Sequence, residues 1–170
     1  FKIMVNYFNK NFFTNFFLII FIFFLDRVSK FYVISQNEKN ISADLFTSKF
    51  LNISLIWNEG IAFGLFSFGE SHFYNFLTIL ILIIIIVIFF MILRSKGLKK
   101  YSFLMILGGA LGNLYDRIFF KAVPDFIDFH IGNFHWFIFN VSDIFISLGV
   151  LFLITLELIN NQKGKIDEKN

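Results

Sequence analysis

Two aspartates of this chain stand beside long apolar segments, where an ionised carboxylate is unfavourable. Asp125 lies in a short segment between two apolar stretches, and Asp143 lies at the start of the second stretch. An Asp at the centre of a membrane span costs about 2.5–3.5 kcal/mol on insertion scales, so acids in such places are candidates for function. Asp128 lies in the same short segment as Asp125 and is the alternative partner for Asp143.

A pair of carboxylates in a poorly solvated place can do acid–base chemistry. Like charges repel, so one pKa of the pair rises and the two groups hold a single proton near neutral pH. The ionised member can take a proton from water, and the protonated member can polarise a carbonyl or protonate a leaving amine. Such a pair can hydrolyse a peptide bond without a metal. For Asp125 or Asp128 alone, a solvated loop acid is the simpler interpretation.

Two further pairs of polar residues lie at helical spacing near the ends of apolar segments. Asp26 and Lys30 are four residues apart and share a helix face, which favours a structural ion pair over a direct role in chemistry. Asn140 precedes Asp143 by three residues and can therefore lie beside its carboxylate.

A third polar group follows a run of small residues. Asn113, Asp116 and Arg117 recur at helical spacing and are expected to share one face. Just before them, Gly108 and Gly112 form a small-xxx-small pattern that lets another helix or a bound peptide approach the backbone closely. This spacing fits a packing face with an Asp116–Arg117 ion pair and fits a substrate-binding face equally well.

Membrane spans are the elements that must position these residues. Of the 170 residues, 57% are hydrophobic, whereas a soluble domain has about 45–50% apolar residues. The excess lies in long blocks, and a span needs roughly 20 such residues. The predicted fold is an all-α membrane protein with four transmembrane helices. The spans are expected at about 11–34, 72–93, 101–119 and 138–159.

The distribution of Lys and Arg predicts the orientation of these spans. Basic residues cluster at both ends of the chain and between the second and third spans, at Lys2, Lys10, Arg94, Lys96, Lys99, Lys100, Lys163, Lys165 and Lys169. Both termini are therefore expected on the cytoplasmic side of the membrane. One integral membrane domain over 1–160 is followed by a polar tail at 161–170, and the candidate acids lie near the outer face.

A small extracytoplasmic β-sheet is expected between the first and second helices, in the outer segment at about 35–71. Leu51, Ile53, Leu55 and Trp57 occupy alternate positions, which predicts a strand. The sequence Asn58-Glu-Gly60 predicts a turn, and Ile61 to Phe66 are expected to form a second strand. The segment at 120–137 is expected to be a short loop.

The composition excludes several other kinds of site. The chain has no Cys, so it has no disulfide and no thiol nucleophile. Its three histidines, His72, His130 and His135, are few for a metal centre, so neither a metal nor a cofactor is expected. The net charge of +3 is small and the basic residues flank the spans, so nucleic-acid binding is not expected.

Five short blocks of sequence occur in order from Asp26 to about Gly149. They are LDRVSK at 25–30, NEGIAFG at 58–64, GGALGNLYDR at 108–117, VPDFID at 123–128 and FNVSD at 139–143. Together they resemble the lipoprotein signal peptidase family, also called signal peptidase II. Two positions depart from the family pattern, since Pro124 replaces an aliphatic residue and Ser142 replaces an Ala. Neither departure removes a catalytic group.

The resemblance implies a membrane aspartic endopeptidase that removes signal peptides from prolipoproteins, cutting before a diacylglyceryl-modified Cys. It assigns the catalytic roles to Asp125 and Asp143. It assigns a structural role in the first span to Asp26 and Lys30. Residues expected to bind substrate or support the two acids are Asn58, Asn113, Asp116, Arg117 and Asn140. The implied partners are these prolipoproteins and membrane lipids, and the implied location is a bacterial cytoplasmic (inner) membrane. The sequence leaves the oligomeric state open, and a monomer is expected.

Two other classes of protein also fit some of these features. A small transporter or proton channel uses acids within the membrane, but its acids are expected through the whole membrane depth. Here they cluster at one end, with Glu157 as the main exception. A membrane scaffold without enzymatic activity fits the spans but does not explain the pairing of Asp125 with Asp143.

Overall fold

Four helices and four short strands make up the described part of the chain. The computed structural model describes residues 2–39, 44–60 and 71–167, with side chains described over 12–39, 44–60 and 74–162. The helices are α1 (Lys2–Lys39), α2 (Ser71–Arg94), α3 (Gly97–Phe120) and α4 (Val141–Asp167). The strands are β1 (Asp44–Thr47), β2 (Leu51–Asn58), β3 (Val123–Ile131) and β4 (Phe134–Phe139).

Three of the helices are long and apolar enough to cross a bilayer. They contain the candidate spans Tyr74–Arg94, Gly97–Phe120 and Val141–Gln162. Within the described residues α1 is not among them, so the first predicted span stays a prediction although it is helical. Helix α4 runs to Asp167 rather than ending near 159, so it continues into the predicted polar tail.

Helix α3 lies at the centre of the helical bundle. Its candidate span is 61% buried within the protein, against 22% for the span of α2 and 11% for that of α4. Side chains of α2 and α3 form the apolar core, and they are Ile85, Ile88, Ile92, Phe103, Leu104, Ile106, Leu107, Ala110 and Leu114. Because α3 contacts each of the other three helices, its polar residues are shielded from lipid on several sides.

Glycines on α3 allow two other helices to approach its backbone. A Cβ atom on Gly108 would lie 3.0 Å from the Cβ of Ile22 in α1. A Cβ atom on Gly109 would lie 2.5 Å from the backbone oxygen of Ser142 in α4. The predicted close approach at these small residues is therefore confirmed, and both partners are helices of this chain.

The four strands form one antiparallel sheet in the order β1-β2-β3-β4. Strand β2 confirms the strand predicted from Leu51 to Trp57, whereas Ile61 to Phe66 lie outside the described residues. The loop expected at 120–137 is wrong, because most of it forms the β3–β4 hairpin. The sheet is thus built from both of the segments that were predicted to lie on the outer side, not only from the one between α1 and α2. Residues 123–126 of β3 are all buried, so the alternation that predicts a half-buried strand is missing.

A β-bulge in β2 lies opposite Asp125. Strand β2 advances from Ile53 to Ile56 while β3 advances only from Ile127 to Asp125. The extra residue bends β2 and changes the direction of its side chains, as bulges near functional sites commonly do. Beyond the bulge, Asn58 pairs with Val123, so Asn58 ends β2 close to Asp125.

Candidate active site

Asp125 is held by two side-chain amides at the start of β3. Its Oδ1 accepts a hydrogen bond from Nδ2 of Asn140 at 2.6 Å, and its Oδ2 accepts one from Nδ2 of Asn58 at 2.8 Å. The residue is 3% exposed, so water does not compete freely with these bonds. A carboxylate oxygen has two lone pairs, so each oxygen can also accept a proton or a hydrogen bond from a water molecule.

Backbone groups fix the orientation of both amides. The Oδ1 atom of Asn58 accepts a hydrogen bond from the N–H of Gly60 at 2.9 Å, and Oδ1 of Asn140 accepts one from the N–H of Asp143 at 3.1 Å. Because a backbone N–H can only donate, the amide oxygens must face these groups and the amide nitrogens must face Asp125.

Asp143 lies in the first turn of α4 and caps that helix together with Asn140. Its Oδ2 accepts a hydrogen bond from the N–H of Asn140 at 3.2 Å, while Asn140 caps the N–H of Asp143 in return. This reciprocal pair is a capping box with Asn at the N-cap and Asp at the third helical position.

Asn113 connects Asp143 to a buried lysine. Its Nδ2 donates to Oδ1 of Asp143 at 2.8 Å, and its Oδ1 accepts from Nζ of Lys30 at 3.0 Å. Since a lysine ammonium can only donate, the amide of Asn113 must turn its nitrogen to Asp143. Asn113 and Asn140 thus present donors to the two acids from different helix ends.

A buried ionic cluster joins α1 to α3 behind Asn113. Lys30 contacts Asp26 at 3.0 Å and Asp116 at 2.7 Å. Arg27 contacts Asp26 at 2.6 Å and binds Asp116 through both of its terminal nitrogens. Two acids and two bases balance in charge, which offsets part of the desolvation of each ion. The expected ion pair between Asp26 and Lys30 is confirmed.

The pairing expected between Asp116 and Arg117 is wrong. Within the described residues Asp116 bonds to Arg27 and Lys30, whereas Arg117 donates through Nη2 to the backbone oxygen of Gly60. Consecutive residues of a helix point about 100° apart, so Asp116 faces α1 while Arg117 faces the cavity. No role was expected for Arg27 from the sequence, although its position beside Asp26 at the end of an apolar run is the signal that could have identified it.

Asp26 also holds the start of α4. Its Oδ1 accepts a hydrogen bond from the backbone N–H of Ser142 at 3.0 Å. A Cβ atom on Gly112 would lie 2.7 Å from Oδ2 of Asp26 and would collide with Oγ of Ser142. Gly112 is therefore required where α1, α3 and α4 meet.

Both candidate catalytic acids line one cavity between α2, α3 and α4. Its volume is about 630 Å³, and its polar side chains lie at one end. Asp125, Asp143, Asn58, Asn113 and Arg117 surround this polar end. Aliphatic side chains form most of the remaining wall. Among the described residues, these are the two acids that line the cavity.

Asp128 lies elsewhere on β3 and is not the solvated loop acid that the sequence suggested. It is 4% exposed, and its Oδ2 lies 2.8 Å from Nδ1 of His135. The side-chain amide of Asn52 approaches the same oxygen at 3.5 Å. Of the two acids in the segment, Asp125 is therefore the one that shares a cavity with Asp143.

Burial and, after it, the negative charge of Asp143 raise the pKa of Asp125 from 3.8 to about 6. The hydrogen bonds from Asn58 and Asn140 oppose this rise because they stabilise the ionised carboxylate. The proton affinity of Asp125 near neutral pH is thus set by desolvation and by the second acid together. This is the environment that acid–base chemistry with paired carboxylates requires.

The family model for signal peptidase (SPase) II matches residues 18–159, which include every polar residue of this site. The chain belongs to the signal peptidase II family. A lipoprotein signal peptidase of Pelagibacter ubique (strain HTCC1062) is 53% identical over 161 residues, covering 95% of this chain and 96% of the relative. A lipoprotein signal peptidase of Anaplasma marginale (strain Florida) is 37% identical over 151 residues, covering 88% and 86%.

Solved structures agree with this membership of the signal peptidase II family. A bacterial membrane enzyme solved by the in meso method at 2.3 Å resolution matches with a TM-score of 0.69 and 31% identity, covering 88% of this chain and 90% of that chain. A second, solved by the same method at 1.9 Å resolution, matches with a TM-score of 0.69 and 28% identity, covering 85% and 92%. The chain is a bacterial membrane protein of a protease family, as the five sequence blocks indicated.

Proposed function

We propose that this chain is an aspartic endopeptidase that removes signal peptides from prolipoproteins, with Asp125 and Asp143 as the catalytic pair. The observation that carries the proposal is their position at the polar end of one apolar cavity, where the charge of Asp143 raises the pKa of Asp125. Membership of the signal peptidase II family supports the same substrate class, because the related proteins are named lipoprotein signal peptidases.

Hydrolysis by this pair uses one water molecule and one shared proton. The ionised carboxylate takes a proton from the water, whose oxygen attacks the scissile carbonyl carbon. The other carboxyl first donates a hydrogen bond to the carbonyl oxygen. The C–N bond then breaks as a proton passes to the leaving nitrogen, which gives a new carboxyl end and a free amine. The pair regains a single proton at the end of the cycle.

Three side chains of the cavity are suited to hold the substrate or the acids. Asn58 and Asn113 donate to Asp125 and Asp143, so they set the positions of the two carboxylates. Arg117 lines the cavity, and within the described residues its Nε and Nη1 atoms have no hydrogen-bond partner. We assign Arg117 to the carbonyl groups of the substrate backbone, because a guanidinium provides several donors in a rigid fork.

The apolar wall of the cavity fits a substrate that carries acyl chains. Lining residues of α4 extend from Asp143 to Ile154, which corresponds to about 16 Å along a helix with a rise of 1.5 Å per residue. A diacylglyceryl-modified Cys placed at the polar end would leave its acyl chains against this wall and in the lipid. The proposed cleavage point is the bond just before that Cys.

The proposed orientation places the two acids near the outer face of the cytoplasmic membrane, with both termini inside. The sheet that carries Asp125 then lies on the outer surface, where the exposed Trp57 and Trp136 suit the membrane interface. Basic residues between α2 and α3 mark the inner face.

A proton channel or transporter is the alternative function. It requires titratable groups along the membrane depth, whereas Asp26, Asp116, Asp125 and Asp143 gather at one end of the bundle. Glu157 lies far along α4, is 61% exposed and contacts Lys99 at 3.6 Å. It is therefore a surface ion pair and not a relay member.

Cleavage of a lipid-modified prolipoprotein by the purified protein in detergent tests the proposal. We expect cleavage before the modified Cys that a chelator does not inhibit. Asp125→Asn and Asp143→Asn should each abolish it, because neither Asn can exchange the required proton. Asp128→Asn is the matched control and should retain clearly more activity. If Asp128 proves essential and Asp125 dispensable, the first acid has been assigned wrongly.

A further inference from the structure

Three potential metal ligands cluster on the β3–β4 hairpin, away from the cavity of the two acids. Asp128 and His130 are two residues apart on β3, so their side chains share a face of the sheet. His135 on β4 is the cross-strand partner of His130, and the two imidazole rings stack with centroids 5.1 Å apart. Ligand atoms of the three residues all lie within 4.8 Å of one another.

Hydrogen bonds within this cluster do not involve all of its potential metal-ligand atoms. Asp128 and His135 contact each other at 2.8 Å, which already brings a carboxylate oxygen next to an imidazole nitrogen. The Nδ1 atom of His130 is buried and has no hydrogen-bond partner among the described residues. An unpaired buried nitrogen is costly, and coordination to a cation would satisfy it.

We propose that Asp128, His130 and His135 bind a divalent transition-metal ion, with Zn²⁺ as the best-fitting ion. Imidazole nitrogens suit Zn²⁺ and its neighbours in the first transition series, whereas Mg²⁺ and Ca²⁺ prefer sites made only of oxygen ligands. Two imidazoles and one carboxylate are a common zinc ligand set that leaves a coordination position for water.

The three side chains can reach the ligand separations that a tetrahedral Zn²⁺ requires. Ligands at about 2.0–2.2 Å from a tetrahedral Zn²⁺ lie about 3.4 Å from one another. The atoms of Asp128 and His135 are already closer than this, at 2.8 and 3.0 Å. His135 is 51% exposed and can rotate, so the remaining separation to His130 can close without moving the strands.

Neighbouring residues can orient the ligands of a bound ion and shield it from water. Asn52 donates toward Asp128, as groups that orient a ligating carboxylate commonly do. An apolar cavity of about 480 Å³ adjoins His130 and is lined by Phe50, Phe129, Trp136, Phe137 and Phe139. A low dielectric around the ion strengthens coordination. Bound zinc would join β3 to β4 and stiffen the strand that carries Asp125, without supplying a reacting group.

Calorimetric titration of tag-free protein in detergent with zinc chloride tests the site. We expect one Zn²⁺ per chain, and we expect magnesium chloride to give no binding at the same concentrations. His130→Gln and His135→Gln should each weaken zinc binding at least tenfold. His72→Gln removes the remaining histidine of the chain and should leave the affinity unchanged.

Two further measurements make the result decisive. Circular dichroism confirms that each variant keeps its helices, and the fluorescence of Trp136, beside His135, should respond to zinc in the wild type but not in His130→Gln/His135→Gln. Equal zinc affinity of that double variant and the wild type would overturn the proposal. Asp125→Asn should bind zinc normally, so failure of the zinc site and failure of the proposed protease activity are separate outcomes.

Discussion

Asn140 and Asp143 cap each other at the start of α4, with hydrogen bonds of 3.1 and 3.2 Å between the side chain of one and the backbone N–H of the other. The same Asn140 donates to Asp125 at 2.6 Å. A helix cap and the proposed acid–base pair therefore share one side chain. The local folding of α4 fixes where Asp143 lies relative to Asp125.

Substitution of Asn140 can separate these two roles. Asn140→Ser keeps a good N-cap but loses the donor to Asp125, whereas Asn140→Ala loses both. We expect both variants to lose activity by roughly 10–100-fold, as removal of a hydrogen bond to a charged group implies. Only Asn140→Ala should also lose about 1 kcal/mol of unfolding free energy. Prolipoprotein cleavage and denaturant unfolding in detergent measure the two effects, and equal stability of both variants would contradict the capping role.

The raised pKa of Asp125 predicts a pH dependence of stability. The folded protein binds this proton more tightly than the unfolded chain, with a pKa of about 6 against 3.8. The stabilisation from Asp125 is therefore fully present below pH 3.8 and is lost as the pH rises through 6, by at most about 3 kcal/mol. Asp125→Asn cannot titrate, so its melting temperature should fall less than that of the wild type between acidic and neutral pH. If the melting temperatures of the two proteins changed with pH in parallel, the raised pKa of Asp125 would be refuted.

Asn58 should affect the pH profile of activity through its hydrogen bond to the carboxyl of Asp125. Its hydrogen bond lowers the pKa of Asp125, so Asn58→Ala should raise that pKa above its value of about 6. We expect the inflection near pH 6 in the profile of kcat/KM to move to higher pH in this variant. A lower kcat with an unmoved inflection would mean that Asn58 only positions the substrate.

The buried ionic cluster should be far more sensitive than a surface ion pair. Lys30→Met leaves the carboxylates of Asp26 and Asp116 without one of their cations, and breaking a buried pair costs about 3–5 kcal/mol. Lys99→Met is the matched control, because its pair with Glu157 is half-exposed and is worth about 0–1 kcal/mol. Thermal unfolding of the two variants should therefore differ clearly, and a similar loss in both would show that the cluster is not desolvated.

Gly112→Ala should disrupt the junction of α1, α3 and α4. The added methyl group would press on Asp26 and Ser142, and overpacking of this kind typically costs about 1–3 kcal/mol. Gly132→Asn is a useful control, since nothing lies within 4 Å of a Cβ there and Asn tolerates its φ of +59°. Cleavage activity should fall only in Gly112→Ala, because the movement displaces the start of α4.

The sequence predicted the acidic residues of the site better than it predicted their hydrogen-bond partners. Asp143 and Asn140 could be paired from their spacing alone, because a capping pair is local. The hydrogen-bond partners of Asp116 could not be predicted, because they depend on how α1 packs against α3. Helix periodicity gives no register between helices. The strand β3 was missed for another reason, because burial on both faces removes the alternation that marks a strand.

The hydrogen bond from Ser142 to Asp26 joins positions 116 residues apart, one in the first helix and one at the start of the last. Translation therefore completes α1 long before the backbone N–H of Ser142, which donates to Asp26, has been made. The nascent chain cannot form the proposed catalytic pair until translation reaches α4, so we expect an unfinished copy to be inactive.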